Sequence, residues 1–260
     1  MQSLIHASIA EHLGKQPEQF LSLLADEFAT HHVVAMNDLL PAHLKTAFHD
    51  EAATLLAGDA KRRDLNIDST GGTPRHYQSV GRDTIKEHGV VIPSVFSSPD
   101  ILAFLSRVAG DSLHPVPYEP EEYILNSQCQ TGDTHGWHWD DYTYALIWIV
   151  DAPDPLSGGR IEFVPNTRWD KDAPREALTD ILTQREVRSR YVQAGSCYLM
   201  KANTTLHRIT PLTSNTRRTV VVYTFASEAD LSDETISHET MEAIYSTEIS
   251  NEEAANVAAE

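Results

Sequence analysis

The sequence is poor in cysteine, with two residues of this type, Cys129 and Cys197, in a chain of 260. Both fall in stretches predicted to be strands, so we expect reduced core thiols and not a disulfide bridge. The chain also lacks an apolar run long enough to cross a membrane. Its N-terminus has no basic region ahead of an apolar one, as a secretory signal would, and reaches Glu11 quickly. These absences predict a cytosolic (cytoplasmic) protein that does not act at a membrane.

Basic residues are scarce as well. The chain has 20 Lys and Arg against 38 Asp and Glu, a formal net charge of −18 at pH 7. Phosphate binding needs clustered positive charge, so this balance argues against a nucleic-acid partner. It is compatible with a cationic substrate, although a solvated acidic surface explains the excess more simply. The oligomeric state is left open.

Length and composition predict a single domain over residues 1–260. Residues 1–117 carry apolar positions at helical spacing and are expected to form helices that buttress a sheet. Within them, the polar stretch 59–89 is predicted to be a long loop that acts as a lid or binding segment. Residues 118–226 are rich in strand patterns and are the predicted core. Residues 227–260 are expected to form a C-terminal helix and an acidic, frayed tail.

Several boundaries follow from turn and capping residues. Gly14 should separate two helices, a third should run from Pro41 to Gly58, and a fourth should start at Ser98. A helical insertion is expected from Pro174 to about Gln184, and another helix from Asp230 to about Tyr245. If the first strand begins at Tyr118, alternation places Glu121 and Tyr123 on one face.

The central motif is Thr134-His135-Gly136-Trp137-His138-Trp139-Asp140-Asp141. In an extended strand His138 and Asp140 project to the same side, where one imidazole and one carboxylate can share a metal ion. His207, in a later strand-like run, is the candidate third ligand. Two His and one carboxylate on one face of a metal are typical of non-haem Fe(II) oxygenases. Alone, the His-x-Asp triplet is also compatible with a polar pair at a sheet surface.

An Arg pair follows the distal His by about ten residues and opens an apolar, β-branched run. A guanidinium fork suits a carboxylate, so one Arg is a candidate cosubstrate clamp. Arg217 and Arg218 point to opposite faces of a strand. If Thr224 faces the pocket, alternation selects Arg218, and Arg217 remains the alternative.

This order of motifs resembles the Fe(II)/2-oxoglutarate-dependent dioxygenase superfamily, with residues 118–226 carrying the resemblance. The resemblance implies an α+β fold with a mainly β core: a double-stranded β-helix, or cupin-like jelly roll, with N-terminal helices packed on the sheet. It implies Fe(II) as metal, 2-oxoglutarate as cosubstrate and O2. The implied reaction couples decarboxylation of 2-oxoglutarate to succinate and CO2 with hydrogen abstraction from an unactivated carbon.

A narrower resemblance is to the stand-alone radical halogenases and hydroxylases that act on free lysine and related amino acids. By that resemblance Arg75 and His135 would hold the substrate α-carboxylate, and Thr224 would border the substrate. Glu121 and Asp141 would receive ammonium groups. Two departures leave the identity of the amino acid open: Val222 replaces a polar pocket residue, and the C-terminal helix lacks the Trp of that group.

In those halogenases the position of Asp140 is Gly, which vacates a coordination site for chloride. A carboxylate at this position therefore predicts hydroxylation and not halogenation. The residues carried over above predict a free cationic amino acid as substrate, with L-lysine as the first candidate and ornithine or arginine next. Two alternatives are a hydroxylase of a protein side chain, which predicts a long open groove, and a non-catalytic metal-binding jelly-roll protein. The carbon attacked and the stereochemistry are left open.

Overall fold

The computed structural model describes residues 1–245. Its helices are α1 (Gln2–Leu13), α2 (Glu18–His31), α3 (Ala42–Asp59), α4 (Arg82–His88), α5 (Val91–Phe96), α6 (Pro99–Ala109), α7 (Pro174–Gln184) and α8 (Glu228–Leu231). Its strands are β1 (Val33–Met36), β2 (Lys61–Ile67), β3 (Thr73–Val80), β4 (His114–Pro115), β5 (Tyr123–Gln128), β6 (Thr134–His138), β7 (Tyr144–Asp151), β8 (Ile161–Pro165), β9 (Arg188–Arg190), β10 (Cys197–Lys201), β11 (Thr205–Ile209) and β12 (Arg218–Ala226). Residues 239–245 are also helical.

The predicted helix boundaries are confirmed at four places. Gly14 ends α1 before α2 begins, and α3 starts directly after Pro41, whose extended backbone makes it the N-cap. Ser98 caps α6, because its side chain accepts a hydrogen bond from the Ile101 N–H. Helix α7 spans the predicted insertion.

All strand pairs are antiparallel, in the order β1-β10-β7-β12-β5-β3-β6-β11-β8-β9, with β2 beside β3 and β4 beside β12. Strand β3 joins the half of the sheet from β1 to β5 to the half from β6 to β9. Its end, residues 78–80, pairs with β5, while Arg75 and His76 pair with β6. Because one strand changes partners along its length, the sheet folds back on itself and encloses an interior.

Strand β7 shows how two apolar cores are built. Tyr144, Leu146, Trp148 and Val150 enter the core between the sheet and the N-terminal helices. Ala145, Ile147 and Ile149 enter a second core inside the folded sheet. Successive side chains of a strand point to opposite faces, so a continuous apolar run fits a strand buried on both sides. The helices thus fix the outer face of the sheet and leave its inner face for the site.

The prediction of a long loop over residues 59–89 is wrong. This stretch forms β2, β3 and α4 and adds two strands to the sheet. The polar residues of this stretch indicated a loop, but β2 lies at an edge of the sheet, where a strand can expose polar side chains. Strands β1 to β4 thus precede residue 118, where the predicted core begins.

Two further local predictions are corrected. Residues 119–121 form a 3-10 turn ahead of β5, so strand alternation does not hold there, and Glu121 faces the interior while Tyr123 packs against the helices. The helix predicted from Asp230 to Tyr245 is broken: α8 ends at Leu231 and helical structure resumes at residue 239. The predicted tail, 251–260, lies outside the described residues.

Both cysteines are free thiols, as predicted. Cys197 is buried in β10, whereas Cys129 is half-buried just after β5 and not within a strand. Among residues 1–245, no helix has the length and apolar character needed to cross a membrane.

Candidate active site

Three side chains converge inside the folded sheet. His138 and His207 are directly opposite each other on the adjacent strands β6 and β11, and their ring centroids are 4.1 Å apart. Asp140 follows the end of β6, and its Oδ1 lies 3.5 Å from the Nε2 atom of each histidine. The three ligand atoms lie within 4.8 Å of one another. This arrangement can hold one metal ion with two imidazoles and a carboxylate.

The two histidines present the correct nitrogen. His138 Nδ1 is 2.7 Å from the Gly136 carbonyl oxygen, and His207 Nδ1 is 2.8 Å from that of Thr205. A carbonyl oxygen only accepts hydrogen bonds, so each Nδ1 carries the hydrogen and each Nε2 keeps its lone pair. Burial lowers the pKa of both imidazoles, which keeps them neutral.

Asp140 supplies the anionic ligand. Burial raises the pKa of its carboxyl group, and the neighbouring His207 and Arg75 oppose that shift. A cation between the three ligands would stabilise the ionised carboxylate further. Two neutral imidazoles and one carboxylate are the donor set expected for a non-haem Fe(II) centre, so the residues present fit the metal.

The two candidate clamp arginines are placed very differently. Arg218 is buried at the start of β12 and borders the same cavity as the metal ligands, while Arg217 is exposed. The Arg218 guanidinium lies near Tyr198, and its Nη1 is 3.5 Å from Gln128 Oε1. A guanidinium buried beside neutral partners can accept a carboxylate as its counter-ion.

A cavity of about 130 Å³ connects these groups. Arg218, His138, Asp140, His207, Glu121 and Asp141 all border it. Arg218 starts β12, whereas Thr224, near the other end of that strand, donates its N–H to the carbonyl oxygen of Glu122, so Arg218 and Glu121 lie toward opposite ends of the cavity. Strand β12 contributes alternate residues to its wall, so Thr224 lies on the same side as Arg218 and Val222 lies between them. The remaining wall includes apolar side chains of the inner core such as Ile147.

Two carboxylates stand at the end of the cavity away from Arg218. Glu121 is 6% exposed, and burial together with the negative charges of Asp141 and Asp140 raises its pKa to about 9. Burial raises the pKa of Asp141 to about 6, against the opposing effect of Lys171, whose Nζ lies 2.8 Å from Asp141 Oδ1. Asp141 is thus already paired with Lys171, whereas Glu121 has no Lys or Arg partner among residues 1–245. Ionising a buried carboxyl group without such a partner is costly, which suits a site that receives a cationic ligand.

Arg75 and His135 are cross-strand partners on β3 and β6. His135 borders the cavity, stacked between Tyr77 and His138 with centroid distances of 5.1 and 4.2 Å. Arg75 is fully buried behind the cavity wall, where its Nη1 donates to Thr73 Oγ1 at 3.0 Å. Its Nε is buried without a hydrogen-bond partner among the described residues.

Several wall residues were not predicted. Residues of β3, β5 and β10 contribute Tyr77, Asn126, Gln128 and Tyr198, and the helical residues near the C-terminus contribute Thr240, Met241, Ile244 and Tyr245. Alternation along β5 would have found Asn126 and Gln128, which share a face. No local pattern indicates that residues 240–245 return to cover the site, because that contact depends on tertiary structure.

Family and site together place the chain among the Fe(II)- and 2-oxoglutarate-dependent oxygenases, as the motif order predicted. The model of the family described as Halogenase D matches residues 16–246, and the chain belongs to this family. This finding confirms the predicted enzyme class, with iron and 2-oxoglutarate as its cofactors. It does not confirm the predicted lysine-specific subgroup. No match is found among curated proteins.

Solved structures confirm the predicted jelly-roll fold. The 2-oxoglutarate-dependent epimerase SnoN from nogalamycin biosynthesis is 15% identical, with a TM-score of 0.61 over 81% of this chain and 84% of that one. A prolyl hydroxylase from Trichoplax adhaerens, solved with a hypoxia-inducible-factor peptide, is 12% identical, with a TM-score of 0.59 over 84% and 94%. EctD from S. alaskensis, solved with 2-oxoglutarate and 5-hydroxyectoine, is 13% identical, with a TM-score of 0.59 over 80% and 77%.

Proposed function

We propose that this protein hydroxylates an unactivated C–H bond of a free cationic amino acid. L-Lysine is the first candidate substrate. The observation that carries the choice of hydroxylation is the Asp140 carboxylate, directed at the Nε2 atoms of both histidines. A carboxylate in this position fills the coordination site that a halide would need. The family description names halogenases, so this residue separates the proposed reaction from the one in the family's name.

His138, Asp140 and His207 would hold Fe(II), and Arg218 would bind the distal carboxylate of 2-oxoglutarate. When bound, iron and cosubstrate supply the oxidising power, with decarboxylation to succinate coupled to removal of a hydrogen atom from the substrate. The protein residues orient the reactants and exclude water. Apolar side chains such as Ile147 and Val222 line the cavity between Arg218 and Glu121 and would exclude water from it.

The proposed substrate is supported by the charge and the closure of the cavity. Glu121 and Asp141 offer two carboxylates to ammonium groups, and His135 with the adjacent Arg75 offers positive polarity to the α-carboxylate. Thr224 borders the space between them. The cavity is small and is partly covered by residues 240–245, which favours a free small molecule over a protein side chain presented on an extended peptide.

The deciding experiment compares L-lysine with norleucine, which has a similar shape and lacks the side-chain ammonium. A pocket that desolvates two carboxylates for a cation should reject the neutral analogue far more strongly than an apolar pocket would. We expect lysine-dependent succinate and a product heavier than lysine by one oxygen atom, with little turnover of norleucine. Equal turnover of both would refute the cationic pocket.

Chloride provides the second arm of the test. The unaltered protein should give no chlorinated product at high chloride, and chlorination by it would refute the assignment to hydroxylation. Asp140→Gly should open a coordination site to chloride. Turnover of a peptide substrate in the absence of any turnover of free amino acids would favour a protein hydroxylase.

A further inference from the structure

Glu121 is held from outside the cavity by a residue that no motif of the site includes. His238 Nδ1 lies 2.9 Å from Glu121 Oε1. The imidazole is stacked on Tyr118, with ring centroids 3.8 Å apart and planes 10° apart, and a second tyrosine, Tyr142, lies 5.9 Å from it. The close stacking on Tyr118 therefore restricts the position of the Nδ1 atom.

The hydrogen bond uses only one of the two carboxylate oxygens. Within residues 1–245, Glu121 Oε2 has no hydrogen-bond partner, and Glu121 borders the cavity. Tying Oε1 to His238 removes the rotational freedom of the carboxylate and leaves Oε2 for a ligand. When a cationic ligand ionises Glu121, its carboxylate can only accept hydrogen bonds, and the imidazole nitrogen that faces it is then the donor.

His238 also begins the segment that covers the cavity. The carbonyl oxygen of His238 accepts a hydrogen bond from the Glu242 N–H at 2.9 Å, in the helical turn that carries Met241 toward the cavity. The preceding Ser237 Oγ accepts from Lys171 Nζ at 3.1 Å, and the same ammonium group is paired with Asp141. The two residues that lead into the covering helix thus contact both proposed ammonium-binding carboxylates: His238 contacts Glu121 directly, and Ser237 contacts Asp141 through Lys171.

We propose that His238 is a specificity-determining positioning residue, which orients Glu121 so that its free oxygen receives an ammonium group of the substrate when the covering segment is docked. This inference rests on the proposed function and deepens it. It predicts that selectivity for cationic over neutral amino acids depends on a residue that does not itself border the cavity.

The test uses two substitutions with different chemistry. His238→Phe keeps an aromatic ring against Tyr118 and removes the donor, whereas His238→Asn places an amide N–H near the position of Nδ1 and removes the stacking. Binding of L-lysine and of norleucine to the anaerobic Fe(II)/2-oxoglutarate complex is measured by calorimetry, together with kcat and KM. His88→Phe is the matched control, since His88 Nδ1 lies 3.3 Å from Asp59 Oδ2 at an exposed pair outside the site.

We expect His238→Phe to weaken lysine binding about tenfold or more, from the loss of a hydrogen bond to a charged group, without changing norleucine binding or the KM for 2-oxoglutarate. His238→Asn should retain most of the selectivity, and His88→Phe all of it. Unchanged selectivity in His238→Phe would overturn the inference. A loss of selectivity in His238→Asn with none in His238→Phe would also overturn it, because that result would show that ring packing alone matters. Equal binding of lysine and norleucine by the unaltered protein would instead refute the proposed function, and this inference with it.

Discussion

At the scale of single residues, the burial of charged groups distinguishes the site from the surface. Arg218 and Glu121 are both almost fully buried, at opposite ends of one cavity, and neither has a complete set of oppositely charged partners. Charges held in this way are expensive in the absence of a counter-ion. Their effects on cosubstrate and substrate binding should therefore be large and separable.

The first prediction concerns the arginine pair. Arg218→Ala should raise the 2-oxoglutarate requirement about 30-fold or more, since truncating one partner of a buried charge pair costs roughly 2 to 5 kcal/mol. Arg217→Ala is the natural control, because Arg217 is adjacent in sequence and exposed. The measurement is the KM for 2-oxoglutarate in succinate formation. The opposite order of effects would show that the exposed arginine binds the cosubstrate.

The second prediction is a pH dependence carried by Glu121, whose pKa is raised to about 9 by burial and by Asp141 and Asp140, with Lys171 opposing. At pH 7 the ligand-free carboxyl group holds its proton, and an ammonium ligand requires the ionised form. Lysine affinity should therefore increase as the pH rises from 7 to 9, and norleucine affinity should not. Calorimetry should also detect proton release on lysine binding at pH 7.

The same shift has a consequence for stability. A carboxyl group with a higher pKa in the folded state binds a proton that the unfolded chain has lost, so this group's contribution to the free energy of unfolding falls as the pH rises from about 4.5 to about 9. Glu121→Gln should make the melting temperature less sensitive to pH in that window. It should also remove the pH dependence of lysine binding. A variant with the same pH profile as the unaltered protein would contradict the assignment.

At the scale of elements, the position of His138 depends on how closely β6 approaches β3. A Cβ added at Gly136 would lie 2.7 Å from Pro74 Cδ and 2.9 Å from its backbone nitrogen and oxygen, so only glycine fits. Gly136 also supplies the carbonyl oxygen that orients the His138 ring. The glycine in the motif thus has two structural roles beside the ligands.

The third prediction follows. Gly136→Ala should destabilise the protein by about 1 to 3 kcal/mol through overpacking and should weaken Fe(II) binding by displacing β6. Gly58→Ala is the matched control: Gly58 lies in α3, where an added Cβ meets nothing within 4 Å, so the change should stabilise the helix by about 0.5 to 1 kcal/mol. Denaturant unfolding and metal titration provide the measurements. Normal metal affinity in Gly136→Ala would contradict the strand-displacement argument.

At the scale of the whole molecule, the metal site and the bulk of the core are separate. The larger core lies between the N-terminal helices and the outer face of the sheet, on the side of β7 away from the metal ligands. Folding therefore depends mainly on contacts that the metal does not touch. The site is built on a scaffold that is complete without it.

The fourth prediction uses this separation. Chelation of the metal, or His207→Ala, should abolish metal-dependent succinate formation while the protein keeps its circular-dichroism spectrum and a cooperative unfolding transition. The control is Trp148→Ala in the larger core, which should cost about 3 to 5 kcal/mol of stability and leave the selectivity for lysine unchanged. Full activity of His207→Ala would refute its role as a ligand, and unfolding on chelation would show that the metal is structural.

The sequence alone determined those features that depend on local periodicity and on donor chemistry. Strand alternation placed His138 on the same side as Asp140, and Arg218 on the same face as Thr224. Capping residues located the starts of α3, α6 and α7. Each of these relations involves residues close together along one element. Tertiary structure alone decided that β2 and β3 join the sheet, that the 3-10 turn directs Glu121 inward, and that His238 returns to hold it. Those contacts join residues far apart in the chain, up to 117 positions in the case of Glu121 and His238, and no local pattern specifies such a pairing.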